Sequence, residues 1–268
     1  MNKNMIIKIL VLVSFVAMVA VNYLAVLLPI NNQTPGQVSD SYANLFAPAG
    51  ITFSIWGVIY LLLGLSTLYQ LGLFQKDKSQ EKTDLISKLG IYFLVTSVAN
   101  ISWVFAWHYN IIPLSLVLIV TILIFLLKIA DLFKDKDFSN REKFFLKLPY
   151  SVYLGWITVA TIANVTVFLV SIGWDGFGIS NVVWTILVLI AGLLIAIFKS
   201  CKYKDVAYGL VIIWAYSGIL IKHISEAGYA GMYPSIIYTV IGCIAVLIVN
   251  EIYLLVKTSN KNDEVEKV

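Results

Sequence analysis

The sequence has little charge for its length. Of its 268 residues, 13% are charged and 60% are hydrophobic, whereas a soluble domain averages about 25% charged and about 45–50% apolar residues. A water-soluble protein of this composition would have to expose large apolar patches. The scarcity of charge therefore argues against a soluble enzyme and favours an integral membrane protein.

Histidine and cysteine are also scarce. The two cysteines, Cys201 and Cys243, lie far apart and form neither a zinc-ligand spacing nor a redox pair. The two histidines, His108 and His223, are too few for a His-based metal site. We therefore expect no metal and no resident cofactor. The net charge of +4 does not indicate nucleic acid, because the basic residues occupy short loops between apolar runs.

Eight apolar runs dominate what remains. Each is about 16–25 residues long, and most are therefore long enough to cross the hydrocarbon layer as a helix. The runs are continuous rather than alternating, which excludes a barrel, and a helix satisfies its own backbone hydrogen bonds in lipid. The sequence thus predicts an all-α integral membrane protein with about eight transmembrane helices. The runs are Ile6–Leu28, Ile51–Phe74, Leu89–Trp107, Ile111–Leu127, Leu148–Ile172, Ile179–Phe198, Val206–Ile221 and Ser235–Val256.

The basic residues fall on one side of this arrangement. All but one of the 19 Lys and Arg residues lie before or at the start of the first run, in alternate loops, or after the eighth run, and the exception is Lys222. Cytoplasmic loops hold the excess of positive charge. Both termini are therefore predicted to be cytoplasmic, in what we expect to be a bacterial plasma membrane. The first run could instead be a cleaved signal peptide, although it is long for one and no clear cleavage site follows it.

Three of the predicted helices carry ring systems and amides at helical spacing. Side chains three or four residues apart share one helix face. One interpretation is that they are interfacial anchors and interhelical hydrogen bonds; the other is that they line a ligand cleft. They are Trp56 and Tyr60 on the second helix, Asn100, Trp103 and Trp107 on the third, and Trp156 and Asn164 on the fifth.

Charged residues near the ends of the last helices allow a further hypothesis. Lys222 and Glu226 are spaced to pair at an outward helix end, and Glu251 lies near the inner end of the eighth helix, where we expect it to be hydrated. A surface ion pair is the simpler interpretation. A transporter could use these groups as a relay, but no acidic residue lies nearer the midplane, which argues against a proton-coupled pump.

Residues 46–60 read FAPAGITFSIWGVIY and are followed by Gly64. This segment resembles the second-helix signature of the tryptophan-rich sensory protein family. That family is the TspO/MBR group, related to the mitochondrial translocator protein or peripheral benzodiazepine receptor. Its signature has an aromatic residue, one or two prolines, a Phe, and Trp-x-x-x-Tyr with a Gly soon after. Here the second proline is replaced near Ala49.

The resemblance continues over about Ile6–Ser171, the five helices of that family. The spacing from Pro149 to Trp156 is longer than usual, so Tyr153 is a second candidate for the family's tryptophan position. The first loop also lacks the Trp-Tyr and Lys-Pro pieces of the family. The matching residues are Asn100 and Trp103 for Asn-x-x-Trp, Pro149 and Tyr150 for Pro-Tyr, and Trp156 and Asn164.

The resemblance implies a five-helix bundle over residues 1–172 with a pocket open toward the outer half. Residues 173–257 would add three further helices, and residues 258–268 a disordered cytoplasmic tail. In the family the pocket binds porphyrins, sterol-like lipids or synthetic aromatic ligands. The implied ligand-binding residues, with the first two positioning a lid, are Phe46, Pro48, Trp56, Tyr60, Asn100, Trp103, Trp107, Tyr153, Trp156 and Asn164.

The predicted function is accordingly that of a non-enzymatic membrane protein. It would bind a hydrophobic or tetrapyrrole-like ligand and act as a sensor, receptor or regulator. The alternative is a multi-pass transporter of a small or hydrophobic solute, with the three extra helices completing a pathway. The expected partners are the lipid bilayer and a hydrophobic small molecule, and a homodimer is left open.

Overall fold

A computed structural model describes residues 3–28, 30–75 and 79–265, and in these residues it contains helices and no β-strand. One π-helical turn, Lys143–Lys147, leads into the seventh helix. The helices are α1 (Lys3–Leu27), α2 (Pro35–Ser41), α3 (Ile55–Leu71), α4 (Gln80–His108), α5 (Ile112–Phe133), α6 (Asn140–Glu142), α7 (Leu148–Ser171), α8 (Asn181–Tyr203), α9 (Val206–Ile224) and α10 (Pro234–Val265).

Eight helical segments in the described part of the chain are long and apolar enough to cross a membrane. They are α1, α3, α4, α5, the continuous α6–α7 segment, α8, α9 and α10, so the prediction of eight membrane-spanning helices is confirmed. The cytoplasmic placement of the termini stays a prediction. Helix α10 continues to Val265, so the tail predicted from Thr258 begins in helical conformation.

Local sequence explains several helix ends. The Thr34 side chain accepts from the Gln37 amide and the Gln37 side chain accepts from the Thr34 amide, which forms a capping box at the start of α2. Ser79 caps α4 in the simpler way, through its side-chain oxygen. Helix α3 ends at Gly72, whose φ of 108° is a left-handed conformation that glycine adopts without strain.

The chain divides into two compact units. The first contains Met1–Ala43 and Phe53–Ile172, and the second contains Asn44–Thr52 and Gly173–Val268. In the first unit α1 packs against α4, α4 against α5, α5 against α7, α7 against α3, and α3 against α1. The five long helices of this unit therefore close into a ring with an interior.

The second unit is built on α8, α9 and α10, which pack against one another. The segment Asn44–Thr52 clusters with these helices. The Ala49 amide donates to the Gly218 carbonyl at 2.9 Å, and the indole Nε1 of Trp214 donates to the Thr52 carbonyl at 3.0 Å. Part of the predicted first outer loop is thereby fixed along α9.

Candidate functional site

Four aromatic side chains of α3 and α7, which we call the aromatic cluster, meet in the first unit. Trp56 stacks on Tyr60 with 5.3 Å between ring centroids and an interplanar angle of 17°. The Trp56 ring also contacts Tyr153 edge-on at 5.9 Å and Trp156 at 6.2 Å. Phe53 adds a fifth ring against Trp156, at 5.8 Å. Indole and phenol faces of this kind suit a flat apolar ligand.

Helical spacing explains how each helix presents its rings. Trp56 and Tyr60 are four residues apart on α3, and Tyr153 and Trp156 are three apart on α7, so each pair lies on one face. Tyr153 and Trp156 are both buried, whereas Trp56 and Tyr60 are half-buried. Both candidates for the family's fifth-helix aromatic position thus lie in the aromatic cluster.

Asn100 connects α4 to this cluster. Its Nδ2 donates to the hydroxyl of Tyr153 at 3.4 Å, and its Oδ1 accepts from Nδ2 of Asn22 on α1 at 2.7 Å. Asn22 also donates to the Met18 carbonyl of its own helix at 2.9 Å. Three helices are therefore joined by one line of polar side chains inside the ring. Amides of this kind stabilise contacts between helices in lipid.

The two tryptophans of α4 stack on each other. The Trp103 and Trp107 ring centroids lie 5.4 Å apart with the planes 19° from parallel. The Trp107 indole Nε1 donates to the carbonyl of Pro35, at the start of α2, at 3.1 Å. Trp107 therefore connects the start of α2 to α4 through this hydrogen bond.

Asn164 lies two turns beyond Trp156 on α7. It is buried, and its Oδ1 accepts from the hydroxyl of Ser115 on α5 at 3.2 Å. Its Nδ2 has no hydrogen-bond partner in the described part of the chain. The Oδ1 atom of Asn164 thus links α5 to α7, while its Nδ2 can still donate hydrogen bonds.

Several of these residues carry a buried donor that has no acceptor within residues 3–28, 30–75 and 79–265. The Tyr60 hydroxyl and the indole Nε1 atoms of Trp103 and Trp156 share this condition with Nδ2 of Asn164. Leaving a buried donor unpaired costs about 1–3 kcal/mol. Each of these groups can donate a hydrogen bond, so together they suit a molecule that carries acceptor oxygens or nitrogens.

Phe46 and Pro48, the two residues implied to position a lid, belong to the second unit. Both are buried there. Their segment is fixed by Leu45, whose carbonyl accepts from Nε2 of the buried His223 at 2.9 Å, and by Asn44, whose carbonyl accepts from the Tyr229 hydroxyl at 3.1 Å. Their role in a ligand site stays a prediction.

The arrangement of possible metal ligands is a separate question. Among the residues that the structure describes, no group of three or more His, Cys, Asp or Glu side chains is placed to hold a metal ion. The aromatic cluster and the amides next to it offer ring stacking and hydrogen bonding by neutral groups.

The family comparison covers nearly the whole chain. A family model described as TSPO-like protein matches residues 8–253. The chain belongs to the TSPO-like protein family. A search of curated proteins and a search of solved structures find no match.

The family match reaches beyond the first five membrane-spanning helices. The resemblance found from the sequence motifs ends at about Ser171, whereas the TSPO-like family model matches this chain as far as residue 253. The match therefore includes α8, α9 and most of α10.

Some residues of the TSPO-like bundle escaped the sequence interpretation. Ser115 gave no signal, because a single Ser in an apolar run shows no spacing pattern. Two other residues did have a signal in the sequence, since Phe53 lies inside the second-helix signature and Asn22 is an amide in an apolar run. Neither was predicted to belong to the site.

The expectation that Glu251 is hydrated is wrong, since its side chain is 3% exposed.

Proposed function

We propose that this TSPO-like membrane protein binds a flat, largely apolar ligand bearing acceptor groups, and acts as its sensor or regulator. The single observation that carries the proposal is the aromatic cluster together with its unpaired donors. Tyr60 and Trp156 contribute both a ring and a donor without an acceptor. A merely structural cluster would be expected to pair these donors internally.

The chemistry of the ligand follows from these groups. Stacking of rings on Trp56 and Trp156 favours an extended π-system. Small-molecule sites are mostly apolar, with a few placed polar groups that fix orientation. The Tyr60 hydroxyl, the Trp103 indole and the Asn164 amide would donate hydrogen bonds to the carboxylates or ring nitrogens of a tetrapyrrole, or to a carbonyl of a sterol-like lipid.

Protoporphyrin binding to the full chain in detergent tests this proposal. We expect saturable quenching of tryptophan fluorescence and a shift in porphyrin absorbance. Trp56→Ala and Trp156→Ala should each weaken binding at least about tenfold, since about 1.4 kcal/mol of lost contact suffices. Trp156→Phe, which retains a ring but loses the donor, should have an intermediate effect.

Trp174→Phe is the matched control. Trp174 is an indole of the second unit that contacts Trp184 and Phe177, so its replacement should leave porphyrin affinity unchanged. If Trp56→Ala and Trp156→Ala bind porphyrin as tightly as the Trp174→Phe protein, the aromatic cluster is not the binding site.

Transport is the second candidate function. Tyr150 lies one turn from Tyr153, and its hydroxyl accepts from Nε2 of Gln70 at 3.1 Å. Gln70 is buried, and its Oε1 has no hydrogen-bond partner among the described residues. Gln70 also helps to line a cavity of about 40 Å³, together with Lys8 and Ser87. Polar groups thus extend from the aromatic cluster to a cavity at the lysine-bearing end of α1.

Reconstituted vesicles separate transport from binding. If the protein is a transporter, vesicles that contain it should take up protoporphyrin faster than empty vesicles. Gln70→Leu should slow this uptake without changing the porphyrin affinity measured in detergent. If the protein binds porphyrin but vesicles that contain it take up porphyrin no faster than empty vesicles, transport is rejected and the sensor function remains.

A further inference from the structure

The second unit contains a buried carboxyl group that the aromatic cluster does not use. Glu251 lies on α10 within the candidate membrane span Pro234–Lys257, and 3% of its surface is exposed. An ionisable side chain inside a membrane helix is costly and marks a functional site by default. At 1.5 Å per residue, Glu251 is about 9 Å along the helix axis from Lys257, so the aqueous phase is near.

The two carboxylate oxygens of Glu251 differ in their hydrogen bonding. Nδ2 of Asn250 donates to Glu251 Oε1 at 3.0 Å and to the hydroxyl oxygen of Ser200 at 2.9 Å. The Cys201 thiol on α8 donates to Oδ1 of Asn250 at 3.3 Å. Oε2 of Glu251 is buried and has no hydrogen-bond partner among the residues that the structure describes. The site is therefore organised around a carboxyl group that lacks one interaction.

The facing helix leaves room for this group. A Cβ added at Gly209 of α9 would lie 2.0 Å from Glu251 Oε1 and 2.3 Å from its carboxyl carbon. A side chain at this position would displace the carboxyl group, which rests directly against the α9 backbone. This close approach removes water from one side of the carboxyl and makes a site from three helices.

The charges around Glu251 do not neutralise it. In the described part of the chain no Lys, Arg or His forms an ion pair with Glu251. The other charged group that acts on it is Asp205, at the N-cap of α9, which repels a negative carboxylate. A buried, uncompensated charge is strongly disfavoured, and a bound proton removes it.

We propose that Glu251 is a proton-binding site of the second unit, in which a proton from the aqueous phase binds at Oε2 and can be returned to it. No other bond changes in this exchange, because the Asn250 amide keeps Oε1 as its acceptor in both states. A proton fits better than a metal cation, since the nearest amide presents donor hydrogens to the carboxyl. The proposal is independent of ligand binding in the first unit.

Dicyclohexylcarbodiimide, which enters from lipid and reacts with protonated carboxyl groups, tests the site in the full-length protein. Peptide mass spectrometry should find the adduct on Glu251 at neutral pH. At alkaline pH the labelling rate should fall about tenfold per pH unit, in proportion to the protonated fraction. Glu142 is the internal comparison, because this buried carboxylate pairs with Lys82 and Ser139 and should stay unmodified.

Two variants and one salt exchange sharpen the result. Glu251→Gln should lose the adduct together with the carboxylic-acid carbonyl band in the infrared spectrum, whereas Glu226→Gln, at an exposed turn residue, should change neither. Replacing choline chloride by sodium chloride should not slow the labelling. The proposal is overturned if wild-type Glu251 stays unlabelled and the infrared band is absent, or if sodium protects Glu251, which would indicate a sodium site.

Discussion

The Nδ2 atom of Asn100 on α4 donates to the hydroxyl of Tyr153 on α7 across the interior of the five-helix ring, at 3.4 Å. In the ring, α4 and α7 are separated by α5 on one side and by α1 and α3 on the other. The bond therefore ties opposite sides of the ring next to the aromatic cluster, where a ligand is proposed to bind.

Asn100→Ala should lower the free energy of unfolding in detergent by about 1–3 kcal/mol, because it leaves the buried Tyr153 hydroxyl without this partner. Tyr153→Phe removes a single hydrogen bond and should cost less, about 0.6 kcal/mol, the average for such bonds between membrane helices. Tyr23→Phe is the control, since Tyr23 is 62% exposed on α1. Equal midpoints of denaturant unfolding for Asn100→Ala and Tyr23→Phe would contradict the prediction.

Gly218→Ala should detach the segment Asn44–Thr52 from α9. The new Cβ would lie 1.9 Å from Oγ1 of Thr52, next to the carbonyl that accepts the Ala49 amide. We expect faster amide hydrogen exchange throughout the segment. Gly242→Ala is the matched control, because a Cβ there meets no atom within 4 Å and only improves the helix propensity of α10. Unchanged exchange in the Gly218→Ala protein would refute this attachment.

Gly90→Ala should strain the crossing of α1 and α4. The added Cβ would lie 2.9 Å from Cγ2 of Ile7 and 3.1 Å from Cγ2 of Val11. Overpacking of this kind costs about 1–3 kcal/mol, measured as a lower free energy of unfolding. Ile7→Ala in the same protein should restore part of the loss. Gly57→Ala, where a Cβ meets open space, should be neutral or stabilising, and a similar loss at Gly57 would remove the packing explanation.

Trp107→Phe should loosen α2, because phenylalanine keeps the stacked ring but cannot donate to the Pro35 carbonyl. Hydrogen exchange over Pro35–Ser41 should become faster. Trp103→Phe offers a close control, because the Trp103 Nε1 forms no hydrogen bond with any residue that the structure describes. The anchoring role would be rejected if both variants gave the same exchange rates over α2.

Local spacing accounts for what the sequence could predict of the candidate site. Trp56 with Tyr60, and Trp103 with Trp107, were expected to share a face because residues four apart on a helix always do. The structure shows both pairs stacked. By contrast, the contact of Trp56 with Tyr153 depends on how α3 and α7 pack, and no spacing within one helix contains that information.

The charged residues of the last helices show the same limit. Lys222 and Glu226 were expected to share a helical turn, but α9 ends at Ile224, before Glu226. Glu251 was expected to be hydrated because it lies near a helix end. Its burial depends on Gly209 of a different helix, which makes room for the carboxyl.

The sequence by itself determined the fold class and the number of membrane-spanning helices. Apolar runs of sufficient length must become helices in lipid, because the bilayer offers the backbone no other hydrogen-bond partner. Only the tertiary structure decided that five helices close into a ring, that Asn44–Thr52 joins α9, and that Glu251 is buried. These features depend on contacts between residues distant in the chain, where shape and hydrogen bonding choose among many pairings that hydrophobicity leaves equal.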